Sequence, residues 1–108
     1  MRTLTQSRII KIANAVERDK ELTPEVYNEL REDMEEQLSH FPLLKRIKII
    51  RNGEQKLGAE VGAIFVEFQD KKSASIAVES FKERVYDFRK LHVCFVDEAV
   101  YFTELYVE

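Results

Sequence analysis

The sequence predicts an α+β fold: a ferredoxin-like βαββαβ sandwich, with two helices on one face of a four-stranded antiparallel sheet, plus an extra C-terminal helix. Three observations predict it. Four short segments are rich in β-branched and aromatic residues or alternate apolar with polar. Two longer segments open on helix-capping residues and carry apolar side chains three or four apart. These six segments follow one another in the order strand, helix, strand, strand, helix, strand.

Arg8 to Val16 (R-I-I-K-I-A-N-A-V) reads as the first strand, with Ile10 and Ile12 toward the core and Lys11 on the open face. Glu17 to Leu22 is a charged loop. Thr23-Pro24 starts a helix, with Thr at the N-cap, Pro at the first helical position and Glu25 facing the positive end of the dipole. Val26, Leu30, Met34 and Leu38 repeat every four residues as its apolar stripe, and the helix is expected to reach about Phe41, where Pro42 stops it. Leu44 to Arg51 is a second strand, and Asn52-Gly53 in the following loop is a turn signal. Gly62 to Gln69 is a third strand, with Ile64, Val66 and Phe68 on one face and Ala63, Phe65 and Glu67 on the other. Asp70 caps a second helix whose Ala74, Ala77, Val78 and Phe81 stand at core spacing. Leu91 to Val96 is the fourth strand, and Asp97 caps a C-terminal helix from Glu98 to about Val107.

The 108 residues fit a single domain spanning 1–108, long enough to bury its own core. At 44% hydrophobic and 34% charged residues the composition is that of a globular chain rather than a disordered one. No apolar run approaches the roughly 20 residues that span a bilayer, and the N-terminus lacks the apolar stretch of a signal peptide. The single cysteine, Cys94, permits no internal disulfide and fits a reducing compartment. The net charge is only −3, but it is unevenly spread. Glu21 to Glu36 holds seven acids and one base, whereas Lys45 to Lys56 holds five bases and one acid. The acidic stretch favours a basic partner and opposes nucleic acid at that surface.

Enzymatic chemistry finds little support. His40 and His92 are far apart, there is no metal-ligand spacing of Cys and His, and the three glycines form no phosphate loop. Cys94 has no evident activating base and is expected to be buried or covered by a helix. No catalytic residue, metal or cofactor is expected.

Many functions share this fold, so the site has to decide. A domain of the RNA-recognition-motif type binds RNA through aromatic rings on the open sheet face. Its third-strand pattern is basic-Gly-aromatic-Gly/Ala-Phe-Val-x-aromatic, and Val61 to Phe68 reads V-G-A-I-F-V-E-F. The core-facing half matches. On the RNA-facing half, Val61 replaces the base and Ala63 the first stacking ring, while Lys11 stands where the first strand usually offers another aromatic. Only Phe65 remains. Each base stack contributes about 1–3 kcal/mol, so two lost platforms remove most of the usual affinity. Val100, Tyr101, Leu105 and Tyr106 in the C-terminal helix need apolar cover, and the favoured place for Phe65 is beneath that helix.

The chain resembles the U2 auxiliary factor homology motif, a peptide-binding variant of the RNA-recognition motif. Four stretches carry the resemblance: the acidic helix V-Y-N-E-L-R-E-D-M-E-E-Q-L-S-H-F, then G-A-I-F-V-E-F, then R-V-Y followed by F-R-K-L-H-V, and last F-V-D-E-A-V-Y. Within the family it is most similar to C-terminal domains of U2 auxiliary factor large subunits. The resemblance implies a non-enzymatic interaction domain that binds basic linear motifs containing tryptophan. Arg84 and Tyr86 would form its lid, with the loop aromatic stacked on the ligand tryptophan and Arg84 ion-paired to a helix acid. Met34 and Phe81 would wall the cavity between the helices, with Phe88 as a second wall or a core residue.

The residues suit that task. Glu29, Asp33 and Gln37 are four apart, drift only about 40° per step and share a helix face, so the two acids can hold ligand Arg or Lys side chains. Two departures stand out: Tyr86 replaces the usual phenylalanine, so its hydroxyl needs a partner, and Gln37 replaces an acid. The implied setting is pre-mRNA splicing at the 3′ splice site in a nucleus. The implied partners are the branch-point-binding protein, the small U2 auxiliary subunit or the U2 snRNP scaffold protein. The chain reads as a piece of a longer protein whose other domains bind RNA. The alternatives are an RNA-binding module using Phe65, Lys11 and the basic second strand, and a homo-oligomerising domain.

Overall fold

The computed structural model describes residues 6–16, 22–51, 60–86 and 88–102. In chain order they form β1 (Ile9–Ala13), α1 (Pro24–Leu38), β2 (Leu44–Ile49), β3 (Ile64–Phe68), α2 (Lys71–Phe81), β4 (Val85–Tyr86), β5 (Arg89–Lys90), β6 (His92–Val96) and α3 (Glu98–Val100). The main sheet has the order β2-β3-β1-β6 with every pair antiparallel. This is the ferredoxin-like arrangement expected from the sequence.

The two faces of the sheet follow from strand alternation. Ile10 and Ile12 of β1 and Ile64, Val66 and Phe68 of β3 point to one side. There they meet Leu30, Met34 and Leu38 of α1 and Ala74, Ala77 and Phe81 of α2, all buried. Both helices therefore cover the same face. Phe41 joins them, its ring 5.8 Å from Phe81 and 6.5 Å from Phe68. On the other face Ile9, Ile50, Ala63, Phe65 and Tyr101 form a smaller buried cluster. The Tyr101 ring lies 5.8 Å from Phe65, so the C-terminal segment covers Phe65 as the sequence suggested. Arg8 holds that segment down through an ion pair with Glu98 at 3.0 Å.

Both helix starts are capped where the sequence placed them. The Val26 amide donates to Thr23 Oγ1 at 3.2 Å and the Ser73 amide to Asp70 Oδ1 at 2.8 Å. The latter bond holds the Asp70 carboxyl below the usual carboxylate range. A carboxyl lowered in this way supports the fold above its unfolded pKa, and that support is lost as pH falls through the folded value.

Some expectations are corrected. Val26 is exposed, not part of the apolar stripe. A four-residue repeat drifts about 40° per step, so its first member rotates out, and Tyr27 packs on the core instead. Helix α1 ends at Leu38 rather than near Phe41. Pro42 disfavours helical backbone at Phe41, and Ser39 Oγ donates to the Glu36 carbonyl at 2.6 Å. Cys94 is exposed, not buried: it lies on edge strand β6, beyond the cluster under Tyr101. The Asn52-Gly53 turn and the C-terminal Leu105, Tyr106 and Val107 lie outside the described residues, as does the Val100 side chain.

Gly62 turns the chain into β3 with φ +89, its amide donating to the Ile50 carbonyl at 2.8 Å. A Cβ here would collide with Val16 Cγ2. Gly62→Ala is expected to cost about 2 kcal/mol or more, from left-handed strain plus overpacking, read as a lowered urea midpoint. Adding Val16→Ala should return only the part due to the collision.

Candidate functional site

The segment after α2 is a two-stranded hairpin rather than the loop expected from the sequence. Val85 pairs with Lys90 and Tyr86 with Arg89. The Leu91 amide closes its base by donating to the Arg84 carbonyl at 3.0 Å, and Asn14, just past β1, ties β5 down by donating from Nδ2 to the Lys90 carbonyl at 2.8 Å. The hairpin gives Arg84 and Tyr86 fixed backbone positions. Arg84 follows the last turn of α2, its amide donating to the Phe81 carbonyl at 3.0 Å.

From there both side chains reach α1. Arg84 Nη1 donates to Gln37 Oε1 at 2.9 Å, and Nη2 donates to Ser80 Oγ at 2.7 Å. The guanidinium lies over the Phe81 ring with its carbon 4.4 Å from the centroid. The Tyr86 hydroxyl donates to Asp33 Oδ2 at 2.5 Å. Asp33 and Gln37 are one turn apart on α1, so two hydrogen bonds on one helix face bind hairpin to helix. Glu29 stands exposed a turn earlier on α1.

The predicted cluster is thus largely assembled, with corrections. Arg84 engages the neutral Gln37 rather than a helix acid, because Gln37 stands on the turn it reaches. The Tyr86 hydroxyl finds its partner in Asp33. Met34 and Phe81 are fully buried members of the main core, onto which Tyr86 also packs. Phe88 is neither a pocket wall nor a core residue. It is 99% exposed with φ +66, because the hairpin turn points it away from the core. Ser80 was not anticipated, although its place four residues before Arg84 at the end of a helix was a usable signal.

The open sheet face offers little to a nucleic acid. Phe65 is 2% exposed, which removes the one stacking platform the sequence retained. Lys11 Nζ pairs with Glu60 at 3.5 Å. In the next row Glu67 is buried, with one carboxylate oxygen 3.3 Å from Lys45 Nζ and the other without a hydrogen-bond partner among the described residues. Of the other bases of the second strand, Arg51 lies over the Tyr27 ring at 4.0 Å. Among the described residues no group of three or more His, Cys, Asp or Glu could hold a metal ion, and no helix is long and apolar enough to cross a membrane.

Residues 22–92 match the family model described as RNA recognition motif. The chain is 28% identical over 96 residues to the splicing factor U2AF 59 kDa subunit of Schizosaccharomyces pombe, an alignment that takes in 88% of this chain and 19% of that protein. The chain therefore spans about a fifth of that relative. Among solved structures, the RNA-binding protein PG1 superposes with TM-score 0.59 at 26% identity, over 85% of this chain and 96% of that one. The RRM3 domain of Hrb1 gives TM-score 0.60 at 14% identity, over 86% and 80%. The Rna15 RRM with bound RNA (GU) gives 0.59 at 18% identity, over 86% of each chain. The last two likenesses bear on the fold alone.

Proposed function

This chain belongs to the RNA recognition motif family, whose members are generally non-enzymatic, and we propose that it is a peptide-binding variant, a protein-interaction domain of a pre-mRNA splicing factor. One observation carries this reading: Arg84 and Tyr86 reach from the hairpin to Gln37 and Asp33 on the acidic helix. The residues that the sequence assigned to a peptide clamp from two distant stretches meet in one place. The covered Phe65 supports the same reading, because it takes out of reach the one stacking ring that the sequence retained in the third strand.

The ligand is a short basic segment with a tryptophan. The indole is held against the Tyr86 ring, and buried aromatics of this kind contribute about 2 kcal/mol or more. Glu29 and Asp33 receive the basic residues. The likeness to the fission yeast splicing factor supports splicing in the nucleus as the setting. The branch-point-binding protein, the small U2 auxiliary subunit and the U2 snRNP scaffold protein are the proposed partners.

Calorimetric titration with a peptide of several Arg/Lys residues followed by Trp-Asp, and with its Trp→Ala control, tests the reading. Micromolar or tighter binding, about −8 kcal/mol, is expected for the first peptide only. Binding of neither peptide, together with tight binding of a single-stranded RNA, would overturn it.

A further inference from the structure

The Tyr86–Asp33 hydrogen bond has a consequence for which ligands the site accepts. It joins a phenol on β4 to a carboxylate on α1 at 2.5 Å. Asp33 is also the acid nearest the lid on its helix face, since the next position on that face, Gln37, is neutral and already accepts from Arg84. The lid therefore satisfies one oxygen of the carboxylate that a basic ligand needs.

We infer that the Tyr86 hydroxyl is a built-in competitor for the ligand's cation at Asp33, and so a specificity-determining group of the peptide site. The inference rests on the peptide-binding reading and refines it. The ring and the hydroxyl of Tyr86 have opposite effects. The ring supplies the stacking surface for the ligand aromatic. The hydroxyl latches the hairpin to α1 and must be displaced from Asp33, or share it, when a cation arrives. A cation that displaces the hydroxyl forfeits a charge-assisted hydrogen bond, so part of the new contact is offset. Ligands that depend on a cation at Asp33 are penalised, and those that depend on the aromatic anchor are not. The site thus favours the tryptophan over the basic run more than the acid content of α1 suggests.

Tyr86→Phe separates the two roles by keeping the ring and removing the hydroxyl. Four proteins are titrated with the same Arg/Lys-Trp-Asp peptide: wild type, Tyr86→Phe, Asp33→Asn, and the double variant. The expected result is binding about three- to tenfold tighter for Tyr86→Phe than for wild type. In the Asp33→Asn background the same change should give no gain, because no carboxylate remains to be released. The wild-type hairpin should also be better protected in amide exchange than that of Tyr86→Phe, since the latch has been removed. Equal or weaker binding by Tyr86→Phe, with wild type still binding, would overturn the competitor role and leave the peptide site standing. A gain that persists in the Asp33→Asn background would also overturn it. Binding by none of the four would remove the peptide site and the competition with it.

Discussion

Phe81→Ala is expected to lower the free energy of unfolding by about 3–5 kcal/mol. The ring is fully buried at the end of α2, where it packs against Phe41, which follows the end of α1, and lies under the guanidinium of Arg84. Phe41 in turn meets Phe68 of β3. Removing Phe81 leaves a cavity at the junction of both helices and the sheet. Phe41 cannot fill it without leaving Phe68. Domains of this kind are stable by roughly 5–15 kcal/mol, so the variant should lose a large part of its stability, visible as a lower midpoint in urea. Phe88→Ala is the control: its exposed ring touches little, and a change within about 0.5 kcal/mol is expected. A loss below about 1 kcal/mol for Phe81→Ala would mean that the aromatic junction does not hold the helices together. The same substitution also removes the surface on which Arg84 rests, so ligand binding should weaken even where the domain remains folded.

Most of the fold was legible because its signals are local. Thr23-Pro24 and Asp70 cap the helices they were assigned to, and Ile64, Val66 and Phe68 alternate with Ala63, Phe65 and Glu67 as a strand requires. What could not be read depends on long-range contacts. Val26 and Tyr27 are adjacent on a helix, and only the rotation of α1 against the sheet decides which faces inward. The exposure of Cys94 depends on where the C-terminal segment crosses the sheet, over Ile9, Ala63 and Phe65 and, on β6, against Val96 rather than Cys94. The hairpin of β4 and β5 is too short to announce itself by alternation, with two residues in each strand.

The nearness of Arg84 and Tyr86 to Gln37 and Asp33 was legible in the sequence, and their pairing less so. The sequence placed Glu29, Asp33 and Gln37 on one helix face and Arg84 and Tyr86 opposite them. Which donor takes which acceptor is decided by reach. Arg84 emerges level with Gln37, one turn beyond Asp33, and Tyr86 falls level with Asp33. The pairing turns the two sequence departures into one arrangement, in which a neutral acceptor serves the arginine and the extra hydroxyl binds the remaining acid.

Asp33→Lys is expected to weaken binding of the basic tryptophan peptide by more than about a hundredfold, or about 2.7 kcal/mol. Two effects act in the same direction. The carboxylate proposed to receive a ligand cation is replaced by a charge of the ligand's own sign. Glu29, one turn away on the same face, is partly neutralised by the new lysine. The core is not involved, because Asp33 is only half-buried and its side chain leaves the apolar face of α1 to Leu30, Met34 and Leu38. The far-ultraviolet dichroism should therefore be unchanged. The electrostatic share of the loss can be separated by salt. Wild-type affinity should fall as salt is added, since the contacts are partly exposed, and residual binding by Asp33→Lys should not fall in the same way because the attraction has been removed. Retained affinity with an unchanged salt slope would mean that the ligand's basic residues contact some other surface. If only the slope flattened while affinity fell less than about tenfold, the tryptophan anchor at Tyr86 would carry most of the binding, and Asp33 would not be the principal receptor of the ligand's cations.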